Sequence, residues 1–208
     1  MELFFIALGY VLALFKNRNK LYRKEQFENS GERLVRKKLK SFCLKEGAHL
    51  LNNVTLKLDD GTTTQIDHIV ICTQGVLVVE TKDYSGWIYG KGHEAKWTQV
   101  HHKLKTRFQN PIRQNYRHIK AVQELMDFLP PESIQGVIVF TNRSEFRTRR
   151  PKGVLYEDEI GTYLADFSVH ELSLNRVQFC VGRLEYKRME LSKETDIEHV
   201  ENLRNRFG

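Results

Sequence analysis

Apolar positions divide the chain into segments of different period. Residues 3–15 (LFFIALGYVLALF) are apolar on every side. From 31 to 42 the apolar residues Leu34, Val35, Leu39 and Phe42 alternate with Arg33, Arg36, Lys37 and Lys40. That is the 3.6-residue period of a half-buried helix. Asn29 or Ser30 stands where its N-cap belongs, and Gly47 breaks it. Residues 49–58 read as a strand that ends in the turn Asp59-Asp60-Gly61. Residues 65–72 (QIDHIVIC) and 76–82 (VLVVETK) are rich in β-branched side chains and meet at Thr73-Gln74-Gly75, a hairpin pattern. Residues 86–90 predict a further short strand, while 91–109 are polar and poorly periodic.

Asn110-Pro111 predicts a clean helix start, with Asn as cap and Pro at the first helical position. This helix should reach Leu129, before Pro130-Pro131. Residues 134–140 (IQGVIVF) are mostly apolar and β-branched, the pattern of a buried strand. Residues 141–152 form a basic loop, and Ser168-x-x-Glu171 and Thr195-x-x-Glu198 have the form of capping boxes for C-terminal helices. The order helix, strands, helix, strand, helices predicts an α/β layer arrangement. A chain of 208 residues is long enough for one hydrophobic core without disulfide or metal staples.

As a helix, residues 1–15 would be about 22 Å long, short of the ~30 Å hydrocarbon core of a bilayer. Lys16, Arg18, Lys20, Arg23 and Lys24 follow the apolar run, whereas a signal peptide carries its charge in front. The expectation is a short membrane anchor over residues 1–15 with the rest of the protein on the cytoplasmic side. The alternative is an amphipathic or core-packed N-terminal helix. The domain plan is therefore 1–24 as apolar helix and basic flank, 25–140 as the core, and 141–208 as a basic loop and helical region packed on it.

Charge and cysteines narrow the function. Lys plus Arg number 33 against 26 Asp plus Glu, a net charge of +7. That suits an anionic partner, either nucleic acid or lipid headgroups. Cys43, Cys72 and Cys180 are far apart and form no C-x-x-C pair, which argues against a disulfide framework or zinc ribbon. Cys72 and Cys180 sit in apolar runs and fit small buried hydrophobes, and this usage fits a reducing compartment.

Two acids interrupt the apolar hairpin. With a two-residue turn at Thr73-Gln74, opposed positions sum to 147, so Asp67 faces Glu80. A three-residue turn would place Asp67 opposite Thr81. In either register the carboxylates are neighbours, and like charges there need a cation between them. A hard divalent metal with oxygen ligands is the natural choice. Lys82 shares the strand face of Glu80, so an ammonium joins the pair, a working set for phosphodiester hydrolysis. The alternative is an ordinary Glu80–Lys82 surface pair.

Gln114 and His118 share one face of the Asn110-Pro111 helix, with Arg113 and Arg117 beside them, suited to phosphate contact, to support of the acid site, or to a solvated face. Arg143, Arg147, Arg149, Arg150 and Lys152, with only Glu145 against them, form the densest basic segment after the N-terminal region, able to track a phosphate backbone or to remain a solvated loop. His93, His101 and His102 lack a partner at zinc-ligand spacing. Trp87 and Trp97 could stack bases, but packing in the core or at its rim is the expectation for both.

The ordered set Gly31-Glu32, Gln65-Ile66-Asp67-His68, Val79-Glu80-Thr81-Lys82 with Gly86, Trp97, and Asn110-Pro111-Ile112-Arg113-Gln114-Asn115 with His118 resembles the NERD (nuclease-related) domain. The resemblance covers residues 28–130. It implies a restriction-endonuclease-like fold of the PD-(D/E)XK superfamily, a mixed central sheet flanked by helices, preceded here by the apolar N-terminal helix. It further implies Mg²⁺- or Mn²⁺-dependent hydrolysis of phosphodiester bonds. By the same resemblance Asp67 and Glu80 are the metal-binding acids and Lys82 the catalytic lysine. Glu32 is an acid leaning in from the first helix, and Gln114 orders the site or the substrate. The expected function is a nuclease acting on nucleic acid, DNA before RNA, at the cytoplasmic face of a membrane. The competing expectation is a non-catalytic, membrane-tethered nucleic-acid-binding or scaffolding module.

Overall fold

The computed structural model describes residues 29–207. The expected anchor at residues 1–15 and its basic flank lie outside them. Among the described residues, no helix is long and apolar enough to cross a membrane.

The first helix, α1, spans Ser30–Glu46. It is followed by β1 (His49–Lys57), β2 (Thr63–Cys72) and β3 (Gly75–Lys82). The chain then crosses to β4 (Gly86–Tyr89), β5 (Lys96–His101) and β6 (Leu104–Gln109) before entering α2 (Pro111–Leu125). After a short 3₁₀ turn come β7 (Ile134–Phe140), β8 (Ser144–Phe146), β9 (Val154–Tyr156), α3 (Ile160–Ala165), α4 (Leu174–Lys187) and α5 (Lys193–Phe207). One sheet has the order β1-β2-β3-β7-β9, antiparallel up to β3 and parallel from β3 to β9. The other has the order β6-β5-β4-β8.

The first sheet is covered on both faces, so its strands are apolar on both. Ile69, Ile71, Val76 and Val78 pack with Val122 of α2 and with Val177, Cys180 and Leu184 of α4. Val70, Cys72, Leu77 and Val79 pack with Val35, Leu39 and Cys43 of α1 and with Ile160 and Leu164 of α3. All three cysteines are buried and free, Cys72 and Cys180 as their apolar runs in the sequence suggest.

The β2–β3 turn has two residues, because Cys72 pairs with Gly75. Gly75 has φ +132°, and a Cβ there would lie 2.4 Å from Val169 Cγ2. The carbonyls of this turn also explain why the expected capping box at Ser168-x-x-Glu171 does not form. The N–H groups of Val169 and His170 donate to Gln74 O, and that of Leu172 donates to Thr73 O. The segment is thus committed to the turn, and α4 starts later, with the Ser173 hydroxyl accepting from Arg176 N. Likewise Ser192, not Thr195, caps α5: its Oγ accepts from Thr195 N–H at 3.2 Å.

The second sheet contains β5 and β6, which the poorly periodic stretch 91–109 does not announce. Its inner side carries Ile88 and Trp97 against Phe140, Ile138 and Val154. Trp97 is fully buried, and its Nε1–H donates to Lys91 O at 2.9 Å. Trp87, in contrast, is 45% exposed and stands outside this cluster.

Candidate active site

Regular alternation fails in β1 and β2 at the same level. Leu51 and Val54 both face the α2 side, as do Ile66 and Ile69, although residues three apart in a regular strand face opposite ways. The β1–β2 ladder pairs Asn52 with His68 and Val54 with Ile66, skipping Asn53 and Asp67. Asn53 takes up the irregularity with φ +49°, a region that Asn tolerates better than most residues. On the other edge of β2 the ladder to β3 ends at His68–Val79. The register therefore sums to 147, as the two-residue turn requires. The Asp67 carboxylate, no longer flanked by paired backbone, accepts the Thr81 N–H at 2.6 Å.

Glu80 and Lys82 point from β3 toward α2. The Glu80 side chain is 2% exposed. Lys82 Nζ lies 2.6 Å from Glu80 Oε1 and 2.9 Å from Gln114 Oε1. His118 Nε2 lies 3.1 Å from Glu80 Oε2, and its Nδ1 lies 2.8 Å from Thr64 Oγ1. The network places a proton on Nε2, so that the ring donates to the carboxylate and can accept from the Thr64 hydroxyl. The helix start that positions this face is fixed by Asn110, whose side chain accepts from Ile112 N and donates to Gly92 O and Glu94 O.

The electrostatics divide the two acids. Burial raises the Asp67 carboxyl, and neighbouring Glu80 and Glu32 raise it further, well above the usual range. Burial also opposes ionisation of Glu80, but the Lys82 ammonium and His118 outweigh it and hold the group at about 2. Burial lowers Lys82, yet Glu80 and Asp67 overcome this and keep the ammonium above its ordinary value. His68, next to Asp67, is fully buried and bonded to Asn52 Oδ1 at 2.8 Å. Burial, helped by Arg36, pulls its pKa to about 3, so it is a neutral supporting group.

Glu80, Lys82 and Gln114 are thus joined in one hydrogen-bonded network, with Asp67 and Glu32 close enough to act on one another's charge. His118 does not meet solvent as a phosphate-binding residue would. It is 4% exposed and belongs to the Glu80 network. Its spacing from Gln114 signals the shared face, but not the acid it meets. Arg113 is exposed, with Nη2 on His93 O, and Arg117 lines a cleft. The basic segment is more fixed than a free loop. Arg143 is paired with Asp83, Arg147 with Glu145, and Arg150 with Glu159, while Arg149 is exposed.

Asp83 and His199 have no signal in the sequence. Asp83 binds the start of α1 through Gly31 N–H at 2.9 Å. His199, on α5, has Nδ1 2.8 Å from Thr63 Oγ1. It borders a cleft of about 240 Å³ together with Gln109, Gln114, Arg117, His118 and Asn202. Among the described residues, no group of three or more His, Cys, Asp or Glu side chains is arranged to enclose a metal ion.

Residues 28–141 match the nuclease-related domain family, NERD. The chain is also 36% identical, over 189 residues, to an uncharacterised protein of Bacillus anthracis, a match covering 86% of this chain and 84% of the relative. The matched residues include the entire acid–lysine–glutamine cluster and the helices and strands that hold it, and the chain belongs to the nuclease-related domain (NERD) family.

Proposed function

We propose that the protein is a divalent-metal-dependent nuclease that hydrolyses nucleic-acid phosphodiester bonds, DNA before RNA, and that residues 1–15 hold it at the cytoplasmic face of a membrane. The observation that carries the catalytic part is Lys82. Its ammonium is fixed between Glu80 and Gln114, one residue beyond the Thr81 N–H that holds Asp67.

The donor set suits Mg²⁺ or Mn²⁺. Asp67, Glu80 and nearby Glu32 supply only oxygen atoms, and the burial and carboxylate repulsion that raise Asp67 are what a hard cation offsets. Asp67 and Glu80 would hold the ion. When bound, it would supply Lewis-acid polarisation of a phosphoryl oxygen. The Lys82 ammonium, held against Glu80 and Gln114, is placed to stabilise negative charge developing on the phosphate. Gln114 fixes the ammonium, and His118 restrains the second Glu80 oxygen.

One observation favours the alternative, a nucleic-acid-binding scaffold that keeps the fold. Both Glu80 oxygens already have protein partners, Lys82 and His118. The two readings separate when plasmid and single-stranded substrates are incubated with Mg²⁺ or Mn²⁺ and metal binding is followed by calorimetry. A nuclease cleaves and loses cleavage in Lys82→Ala, and it binds metal less tightly in Asp67→Asn with Glu80→Gln. Binding of nucleic acid with no cleavage under any divalent ion would leave the scaffold reading.

A further inference from the structure

The outer face of the second sheet brings together residues that are distant in sequence. Trp87 lies opposite Val100, which lies opposite Lys105. Tyr89 lies opposite Thr98, which lies opposite Arg107. Directly opposed residues share a face, so two rows cross the sheet, each with an aromatic ring on β4 and a cation on β6. Alternation turns Ile88 and Trp97 inward, fully buried, and leaves Trp87 and Tyr89 45% and 37% exposed. Lys105 and Arg107 are exposed as well. On the β8 side, the Arg147 guanidinium sits 5.0 Å from the centre of the Trp87 ring. Glu145 is the acid in these rows, and Arg147 already pairs with it at 2.8 Å.

This face leads to the candidate active site. Lys105, Arg107 and Gln109 occupy alternate positions of β6 and therefore one side of the strand. Gln109 borders the same cleft as Gln114 and His118.

We propose that the outer face of the second sheet is a binding site for single-stranded nucleic acid, distinct from the acid–lysine centre and continuous with its cleft. Unpaired bases stack on Trp87 and Tyr89, while Lys105 and Arg107 follow the phosphates toward Gln109. Exposed aromatic rings select a single strand because its bases offer free π-faces, which a duplex keeps stacked internally. The cations contribute sequence-independent attraction to the backbone. The inference rests on the nuclease reading only for the idea that the bound strand continues into the cleft.

The test uses the full chain in EDTA, so that binding is measured without cleavage. Fluorescence anisotropy compares a labelled single-stranded oligodeoxythymidine with a duplex of equal length. The wild type should prefer the single strand. Trp87→Ala should weaken that binding by about tenfold or more. Lys105→Glu with Arg107→Glu should weaken it and flatten its salt dependence, by about 0.7 in logarithmic slope for each phosphate no longer neutralised. Lys40→Glu, an exposed charge reversal on α1, should leave affinity within about twofold and so controls for net charge. Thermal melts establish that each variant is folded, and Tyr89→Ala repeats the aromatic test at a second position. Unchanged affinity in the aromatic and cationic variants overturns the inference, as does a preference for duplex or the absence of binding by the wild type. Cleavage in Mn²⁺ alongside unchanged variant affinities removes this surface and leaves the nuclease reading. The expected binding losses in a protein that cleaves nothing do the reverse.

Discussion

The carboxylate of Asp83 reaches from the end of β3 to the backbone N–H of Gly31, 2.9 Å away in the first turn of α1. It also accepts from Thr141 Oγ1 at 2.9 Å and from Arg143 Nε at 3.1 Å. One acid thereby ties the helix that carries Glu32 to the strand that carries Lys82. The approach requires glycine, because a Cβ at residue 31 would lie 2.6 Å from Asp83 Cβ and 2.9 Å from Thr141 Cγ2. Gly31→Ala should cost about 1–3 kcal/mol by overpacking and should depress cleavage by displacing Glu32. Urea denaturation and a plasmid-nicking assay check both. Wild-type stability in the variant would contradict this close approach.

The pair Lys82–Glu80 should show strong coupling. Lys82→Met leaves a buried carboxylate with one ion-pair partner fewer, and such a loss costs about 3–5 kcal/mol. Glu80→Gln with Lys82→Met should recover part of that cost, which a double-mutant cycle in urea measures. Cleavage should fall on the order of 100-fold or more in Lys82→Met. Additive stability changes would mean that the two side chains do not interact in this way.

Asp67→Asn should separate stability from function. The substitution removes a charge that burial, Glu80 and Glu32 disfavour, and an amide oxygen can still accept the Thr81 N–H. In EDTA the variant should be at least as stable as the wild type. Addition of Mn²⁺ should raise the Tm of the wild type and leave that of the variant nearly unchanged. Equal metal-induced shifts would remove Asp67 from the metal site.

Much of this cluster is legible in sequence because it depends on local arithmetic. A two-residue turn fixes the 147 register, and alternation then places Glu80 and Lys82 on one face. Asn110-Pro111 starts the helix that carries Gln114 and His118. Legibility ends where partners come from afar. The break in alternation at Asp67 depends on Asn53 in another strand. The cap at Ser168 fails because carbonyls of the distant β2–β3 turn take the neighbouring N–H groups. The strand β6 is faint because only Leu104 and Phe108 in it are apolar, and Leu104–Arg107 are exposed on both faces.

The three thiols should be inert in the native state. Burial pushes Cys43 up to about 12 and Cys180 up to about 11, and it raises Cys72 as well. In the unfolded chain such groups ionise near pH ~8.5. Above that value the folded state therefore holds more thiol protons than the unfolded state, and stability falls as pH rises. Iodoacetamide should label the protein rapidly only in urea. The urea midpoint should drop between about pH 8 and pH 10, less so in Cys43→Ala. Equal labelling of native and unfolded protein would contradict the buried thiols.

Deleting residues 1–15 should move the protein from the membrane fraction to the supernatant of lysed cells. The apolar run and the basic residues after it motivate this expectation. Equal partitioning of the full-length and shortened chains would reject the anchor.

The match to the nuclease-related domain stops at residue 141, yet packing does not stop there. The short strand β9 pairs with the far edge of β7, and Val177, Cys180 and Leu184 of α4 cover one side of the central sheet. The peptide groups of 169–172 close over the β2–β3 turn. A fragment cut at the similarity boundary would expose an apolar sheet face and an open parallel edge, a template for intermolecular pairing. Grafting the acid–lysine segment into another protein therefore means transplanting the chain to at least Arg188. The family match thus ends inside the packed sheet and not at its border.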